Sequence, residues 1–333
     1  MKRLGIVILS LLATACCVID DDLSVCDVDF VINYTLELRT DIKAQLEAEL
    51  VADADSSVRQ ALEQWLSPVF TDKVKDVDLR FYLNETDEVA YLIKEEINDN
   101  RTSYNIHLPK ENYMHLGVAN IAGNDQVQLS GVEHSTSMRL GVKTEDKIPS
   151  MNTGVFTARL PMEVHDSISQ SFTVHLYMVN AAVALVVDPS ECADIVSISG
   201  LMNGASDGFA TRDSTYSYEH GYMVIMDKVE YQTTQAPQKM STRYAEEKPH
   251  VCLGAVTMPT EKGKKWQVIT TTTLTDYRHT TTTLTLNEPL KAGELKIIQC
   301  KMTPTGEVDA VDSDVSVSVN LDWKPGDNHD LEL

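Results

Sequence analysis

The sequence predicts an all-β protein with one helical segment, built as two tandem antiparallel β-sandwich domains. Apolar and polar residues alternate in the segments 77–83, 172–178 and 315–323. This period of two is typical of strands that are covered on one face by a second sheet. Short turn-forming stretches such as Ala122-Gly123-Asn124-Asp125 separate the alternating runs. The length of 333 residues is sufficient for two domains of ordinary size.

Residues 1–15 have the parts of a lipoprotein signal peptide. Two basic residues precede an apolar run at 4–12, which is too short to span a membrane. The segment Ala13-Thr14-Ala15-Cys16 resembles a bacterial lipobox, which predicts cleavage before Cys16 and acylation of its thiol and new amino terminus. Two alternatives remain open: an ordinary signal peptide with a chance cysteine, and acylation at Cys17.

Residues 16–26 are predicted to form a lipidated tether. Asp20, Asp21 and Asp22 follow Cys16 closely. An acidic run at this place resembles the surface-export tag of Bacteroidetes lipoproteins, and it favours display on the outer leaflet of the outer membrane. The alternatives are a solvated linker and an inward-facing anchor. The longest later apolar run, at 181–187, is too short to cross a bilayer.

The N-terminal domain is predicted to extend from 27 to 147 and to contain a helical insertion at about 41–67. Here apolar residues recur at helical spacing and share one face: Val58, Ala61, Leu62, Trp65 and Leu66. Pro68 is expected to end the helix. We expect the helix to cover the edge or the end of the first sandwich, with Trp65 in its core.

The C-terminal domain is predicted to comprise residues 148–333. The boundary is placed in the polar, proline-containing stretch 143–152. Within this domain, the sequence Thr-Thr-Thr-Thr-Leu-Thr occurs at 270–275 and again at 280–285. Because β-branched threonine favours strands, we predict a hairpin with one solvent-exposed face.

The charge distribution excludes some classes of partner. The chain has 28 Lys and Arg against 50 Asp and Glu, which gives a formal net charge of −22. Such an excess of negative charge repels phosphate backbones and therefore argues against nucleic-acid binding. No metal or cofactor motif is found. The acidic stretch around Asp309 has no calcium-loop spacing and is interpreted as a solvated turn.

No catalytic constellation stands out, and an enzyme ranks third among the hypotheses. There is no GxSxG elbow. Cys192, Cys252 and Cys300 are interpreted as buried small hydrophobic residues, or as one disulfide with one thiol left over; the pairing of Cys17 and Cys26 also stays open. A tethered pair of β-sandwiches instead presents surfaces and strand edges, and an exposed edge can accept a strand from a partner.

Several features together resemble the FimB-type fimbrial anchor subunits of Bacteroidetes, which are lipoproteins at the base of type V pili. These features are Cys16 with Asp21-Asp22-Leu23-Ser24-Val25-Cys26, the strand 77–83, the segment 104–113 leading to 118–120, and the terminal strand 315–321 followed by Asp322-Trp323. Glu111 stands where the family usually has glycine, and Val118-Ala119-Asn120 replaces its common Ala-Trp dipeptide.

The resemblance implies two transthyretin-like sandwiches, a lipid anchor in the bilayer and no catalysis. It also implies an anchor that holds a fimbrial shaft subunit by strand insertion and thereby limits fimbrial length. The alternative is a glycan-binding surface lipoprotein of a polysaccharide uptake system. Trp266 is the one plausible aromatic platform for a sugar, although a half-buried strand residue is the favoured interpretation of this tryptophan.

Overall fold

The computed structural model describes ten segments of the chain: 30–39, 56–70, 74–97, 102–134, 137–143, 145–165, 169–230, 250–311, 315–323 and 327–328. These segments contain the helix α1 (Ser56–Leu66) and otherwise consist of strands and turns. The prediction of an all-β sandwich fold with a helical segment is therefore confirmed.

The strands that begin before residue 147 are β1 (Phe30–Arg39), β2 (Asp76–Leu83), β3 (Val89–Glu96), β4 (Ser103–Leu108), β5 (Asn112–Ala119), β6 (Val127–Ser130) and β7 (Arg139–Val142). Those that follow are β8 (Lys147–Pro149), β9 (Phe156–Glu163), β10 (Gln170–Met178), β11 (Ala181–Asp188), β12 (Ile195–Met202), β13 (Gly208–Ala210), β14 (Thr215–Ser217), β15 (Met223–Ile225), β16 (Asp227–Val229), β17 (Val251–Thr257), β18 (Trp266–Leu274), β19 (His279–Leu286), β20 (Leu295–Met302), β21 (Val308–Ala310), β22 (Val315–Trp323) and β23 (Asp327–Asn328).

The strands form four sheets. Sheet I has the order β3-β2-β5-β9-β10-β1-β4, and sheet II has the order β14-β13-β7-β6. Sheet III has the order β16-β17-β11-β20-β21, and sheet IV has the order β23-β22-β19-β18-β12-β15-β8. Three pairs are parallel, namely β1 with β10, β11 with β20 and β8 with β15; the other described pairs are antiparallel.

The chain passes between the sheets more often than a simple tandem arrangement requires. β8 joins sheet IV, and the chain then returns to sheet I for β9 and β10. Later in the chain, β13 pairs with β7 in sheet II. The division of the chain at residues 147 and 148 stays a prediction, and it falls inside β8.

In β10 the apolar side chains at alternate positions are buried, as predicted, whereas β2 is buried on both faces. In β10 the side chains of Val174, Leu176 and Met178 are buried. In β2 the polar-face residues Asp78 and Tyr82 are buried as well. The hydroxyl of Tyr82 donates to the carbonyl of Val132 at 2.7 Å and contacts Met138 at 3.5 Å, so residues between β6 and β7 of sheet II cover this face.

Helix α1 is confirmed over the described part of the predicted insertion, whereas residues 41–55 lie outside the described residues. Its apolar face is buried through Val58, Ala61, Leu62 and Leu66. Trp65 is partly buried and lies directly against Gly254 of β17 in sheet III. The helix was expected to cover the first sandwich, whereas these contacts place it against β16 and β17 of sheet III.

The threonine-rich segments form the predicted hairpin of β18 and β19, in which Thr271 pairs with Thr281. Threonines at alternate positions are buried on one side: Thr270, Thr272, Thr280 and Thr282. The threonines on the other side are partly exposed, as expected for a solvent-exposed face. Residues 315–323 form the predicted terminal strand β22, paired with β19.

Candidate strand-acceptor edge

The residues predicted for the lipid anchor and its export tag, Cys16, Asp20, Asp21 and Asp22, lie outside the described residues. Among the described residues, no helix has the length and hydropathy needed to cross a membrane. In the same part of the chain, no group of three or more His, Cys, Asp or Glu side chains is arranged to hold a metal ion.

The three described cysteines are buried and form no disulfide, which agrees with their interpretation as small hydrophobic residues. They are Cys192, Cys252 and Cys300. Burial raises the pKa of Cys252 to about 12, and burial followed by the charge of Asp309 raises that of Cys300 to about 12. These two thiols therefore stay protonated near neutral pH and are poor nucleophiles, since the thiolate is the reactive form.

His115 is a buried structural residue that the sequence pattern did not single out. Its Nε2 accepts a hydrogen bond from the Tyr34 hydroxyl at 2.5 Å, and its Nδ1 lies 3.0 Å from the carbonyl oxygen of Arg80. Its ring stacks on Phe81 with 4.4 Å between centroids. Burial lowers the pKa of His115 to about 3, so the ring is neutral and ties β1 to β5.

Asp207, Ser217 and His220 meet, but their hydrogen bonds do not activate a nucleophile. The Ser217 hydroxyl donates to Asp207 at 2.7 Å, while its oxygen accepts from Arg139 at 3.0 Å. The backbone and the ring of His220 both bond to Asp207, at 2.8 and 2.9 Å. Burial raises the pKa of Asp207, but these bonds outweigh it and leave the pKa lowered. The cluster stabilises the turn that follows β14.

Trp266 does not provide a sugar platform. Its side chain is buried, with 1% of the residue surface exposed. The indole N–H donates to the carbonyl of Glu288 at 2.6 Å. The favoured interpretation as a strand residue is correct, and the burial is more complete than the predicted half.

Sheet edges remain as the surfaces that can receive a partner, and β3 differs from all the others. It is the terminal strand of sheet I and has eight residues, and no described strand pairs with its outer side. The opposite edge of the sheet, β4, has six residues and exposes Ser103, Asn105 and His107. The terminal strands of the other sheets, β14, β6, β16, β21, β23 and β8, have at most four residues.

The edge strand β3 exposes large apolar side chains in its middle. Tyr91 and Leu92 are 36% and 45% exposed. The Tyr91 ring packs edge-on against Phe81 of β2, with 6.1 Å between centroids. A register shift between Phe81 and Tyr82 leaves Ala90 as a bulge at the start of the strand. Natural proteins usually protect such an edge with charges, proline or bulges. Here the bulge lies at Ala90 and the charges begin at Lys94, so Tyr91 and Leu92 between them are the unprotected apolar part.

The hairpin that carries β3 is fixed to the rest of the fold. Asp87, in the turn between β2 and β3, pairs with Arg212 in the turn after β13 at 2.6 Å. The Arg80 guanidinium binds Asp78 at 2.7 Å and reaches the Val132 carbonyl at 3.4 Å. These contacts join sheet I to the strands of sheet II, so the edge is held in place before any partner binds.

Comparison with solved structures shows where else this fold occurs. The chain is similar to the fimbrial anchor protein Mfa2 from Porphyromonas gingivalis, with 9% identity and a TM-score of 0.50, over 88% of this chain and 98% of that one. It is also similar to a protein described as a putative adhesin from Bacteroides ovatus, with 10% identity and a TM-score of 0.52, over 90% and 96% of the two chains.

A third similar structure is described as putative polysaccharide binding proteins from Bacteroides thetaiotaomicron. The identity is 10% and the TM-score 0.51, over 88% of this chain and 96% of that one. The chain therefore shares the fold of these three proteins. No family model matches the sequence, and no curated protein matches it.

Proposed function

We propose that this protein is an outer-membrane lipoprotein that serves as a fimbrial anchor or assembly subunit. Acyl chains on Cys16 hold it in the bilayer, and Asp20, Asp21 and Asp22 direct it to the cell surface. The two sandwiches, divided near residue 147, hold the first shaft subunit and limit the length of the fimbria. The lipobox-like sequence and the fold shared with the anchor protein Mfa2 support this proposal.

The observation that carries the proposal is the open edge of β3, which is apolar in its first half. An added strand is held there by main-chain hydrogen bonds, each of which contributes about 0.5–1.5 kcal/mol net. Eight residues provide enough length for several such bonds. None of the polar clusters described above has the geometry of a catalytic site, and the described fold neighbours are named as anchor, adhesin or binding proteins. A non-enzymatic role therefore fits best.

The alternative function, glycan binding for a polysaccharide uptake system, is supported by the description of one fold neighbour. Its predicted platform, Trp266, is buried. The anchor is therefore the function that we carry forward.

Deletion of the gene tests the proposal directly. We expect fimbriae that are shed into the medium or are abnormally long, measured by electron microscopy and by the shaft subunit recovered from the supernatant. Complementation with the unaltered gene should restore attached fimbriae of normal length. Normal fimbriae in the deletion strain, together with lost growth on one glycan, would instead support the alternative.

The lipid anchor is tested by Cys16→Ser, with Cys17→Ser as the matched control. The first variant should be soluble or remain as the uncleaved precursor, because it lacks the thiol that is acylated. The second should stay in the membrane fraction. Continued membrane attachment of Cys16→Ser would contradict the assignment of Cys16.

A further inference from the structure

The two faces of β3 carry different side chains next to the space that an added strand would occupy. Tyr91 and Ile93 lie opposite Phe81 and Leu79 of β2, so they continue the apolar face of sheet I. On the other face, Leu92, Lys94 and Glu96 lie opposite Arg80, Asp78 and Asp76. The strand is therefore apolar on both faces in its first half and charged in its second half.

This division fixes what an added strand must look like, because residues that stand opposite one another in a β-pair share a face and are in contact. Apolar residues are favoured opposite Tyr91, Leu92 and Ile93. An acidic residue is favoured opposite Lys94, and a basic residue opposite Glu96. The register is set by the charged half of the strand, because a slip of one residue would move the acidic and basic residues away from Lys94 and Glu96.

Resting on the proposed function, we propose that β3 receives a strand of the fimbrial shaft subunit. When the added strand runs parallel to β3, its sequence has three consecutive apolar residues, then an acidic residue, and a basic residue two positions after the acidic one. The order of these residues is reversed if the added strand runs antiparallel to β3. The partner is thus a protein segment in extended conformation that completes sheet I as an eighth strand.

Tyr91 is the expected anchor of this contact. Its ring is already packed against Phe81 and retains 36% exposure. Partly exposed aromatic residues held in place by their neighbours are typical hot spots of binding surfaces. The hairpin is also fixed through Asp87 and Arg212, so little ordering of the edge is needed on binding.

The test uses the full-length protein and the shaft subunit purified from the same strain. Hydrogen–deuterium exchange should show that residues 89–96 gain protection when the shaft subunit binds. Leu92→Lys should weaken binding by about tenfold or more, since it places a charge on the apolar part of the edge. Val31→Lys is the matched control, because Val31 is 39% exposed on β1 of the same sheet; it should bind as the unaltered protein does.

Charge reversal tests the register. Lys94→Glu should weaken binding, and changing the acidic residue of the shaft strand to lysine should restore it. Unchanged binding by Leu92→Lys, or protection gained at another edge with none at 89–96, would overturn the proposal.

These outcomes separate the inference from the proposed function. If the gene deletion releases fimbriae but Leu92→Lys restores their attachment fully, the anchor function stands and the role of β3 is wrong. If the deletion leaves fimbriae normal, the anchor function itself is wrong.

Discussion

The indole of Trp65 lies directly on Gly254, and a Cβ atom at residue 254 would overlap the ring. The indole N–H and the Ser150 hydroxyl donate to the carboxylate of Asp227 in β16. Burial raises the pKa of this carboxyl group. Through these contacts, helix α1 is held against sheet III.

The first prediction concerns Gly254→Ala. The added methyl group must displace Trp65, and overpacking of this kind typically costs about 1–3 kcal/mol. We expect a lower Tm in thermal unfolding followed by circular dichroism. Gly141→Ala is the control, because a Cβ at Gly141 in β7 would meet no atom within 4 Å. In a Trp65→Ala background the cost of Gly254→Ala should largely disappear, and an equal cost there would contradict the explanation.

The second prediction concerns the pH dependence of stability. The pKa of His115 is about 3 in the folded protein against an ordinary value of 6.5. Between these values the unfolded chain binds a proton that the folded protein does not, so stability falls as pH falls. From pH 7 to pH 5 this group should remove about 2 kcal/mol from the free energy of unfolding.

His115→Phe should abolish that part of the pH dependence, measured by urea unfolding at both pH values. His107→Phe is the control, because His107 is exposed on β4. An identical loss between pH 7 and pH 5 in His115→Phe and in the unaltered protein would show that another group is responsible.

The third prediction concerns the ion pair between Asp87 and Arg212, whose side chains are 28% and 27% exposed. A double-mutant cycle with Asp87→Ala and Arg212→Ala should give a coupling energy of about 0.5–1 kcal/mol, in the range for partly exposed pairs. The coupling should decrease in high salt, because screening weakens partly exposed pairs. A coupling near zero at low salt would mean that the pair does not fix the hairpin.

The fourth prediction concerns thiol reactivity. Iodoacetamide should label Cys192, Cys252 and Cys300 only after unfolding, because all three are buried in the folded protein. Mass spectrometry of proteolytic peptides, before and after denaturation, provides the measurement. Labelling of Cys252 or Cys300 in the folded protein at pH 7 would contradict their raised pKa values and their burial.

Much of the architecture follows from local patterns. The alternation in β10 and the repeats of β18 and β19 predict strands because each is covered on one face by neighbouring sheets. The helical spacing of Val58, Leu62 and Leu66 likewise predicts α1. These signals lie within a few residues of one another, so they can be found in the sequence.

Features made by distant residues were missed for a physical reason. His115 becomes a buried neutral residue through Tyr34, which lies 81 positions away in the chain. Tyr82 is buried against Val132 and Met138, which lie 50 and 56 positions away, and no local pattern specifies that contact. The edge β3 lacks a period of two because both of its faces are partly open. Its one local indication is an apolar run at 89–93 followed by charged residues.

The parallel pairing of β1 with β10 has a consequence for biogenesis. Ile32 stands opposite Gln170, and Leu38 stands opposite Leu176. Because a polypeptide emerges with its amino terminus first, β1 can pair with β4 on one side well before β10 exists to cover its other side. Contacts so distant in sequence form slowly, so one side of the apolar strand β1 stays unpaired until β10 has been synthesised. A partly formed sheet of this kind is prone to aggregate, and a holding chaperone would protect it until β10 is in place.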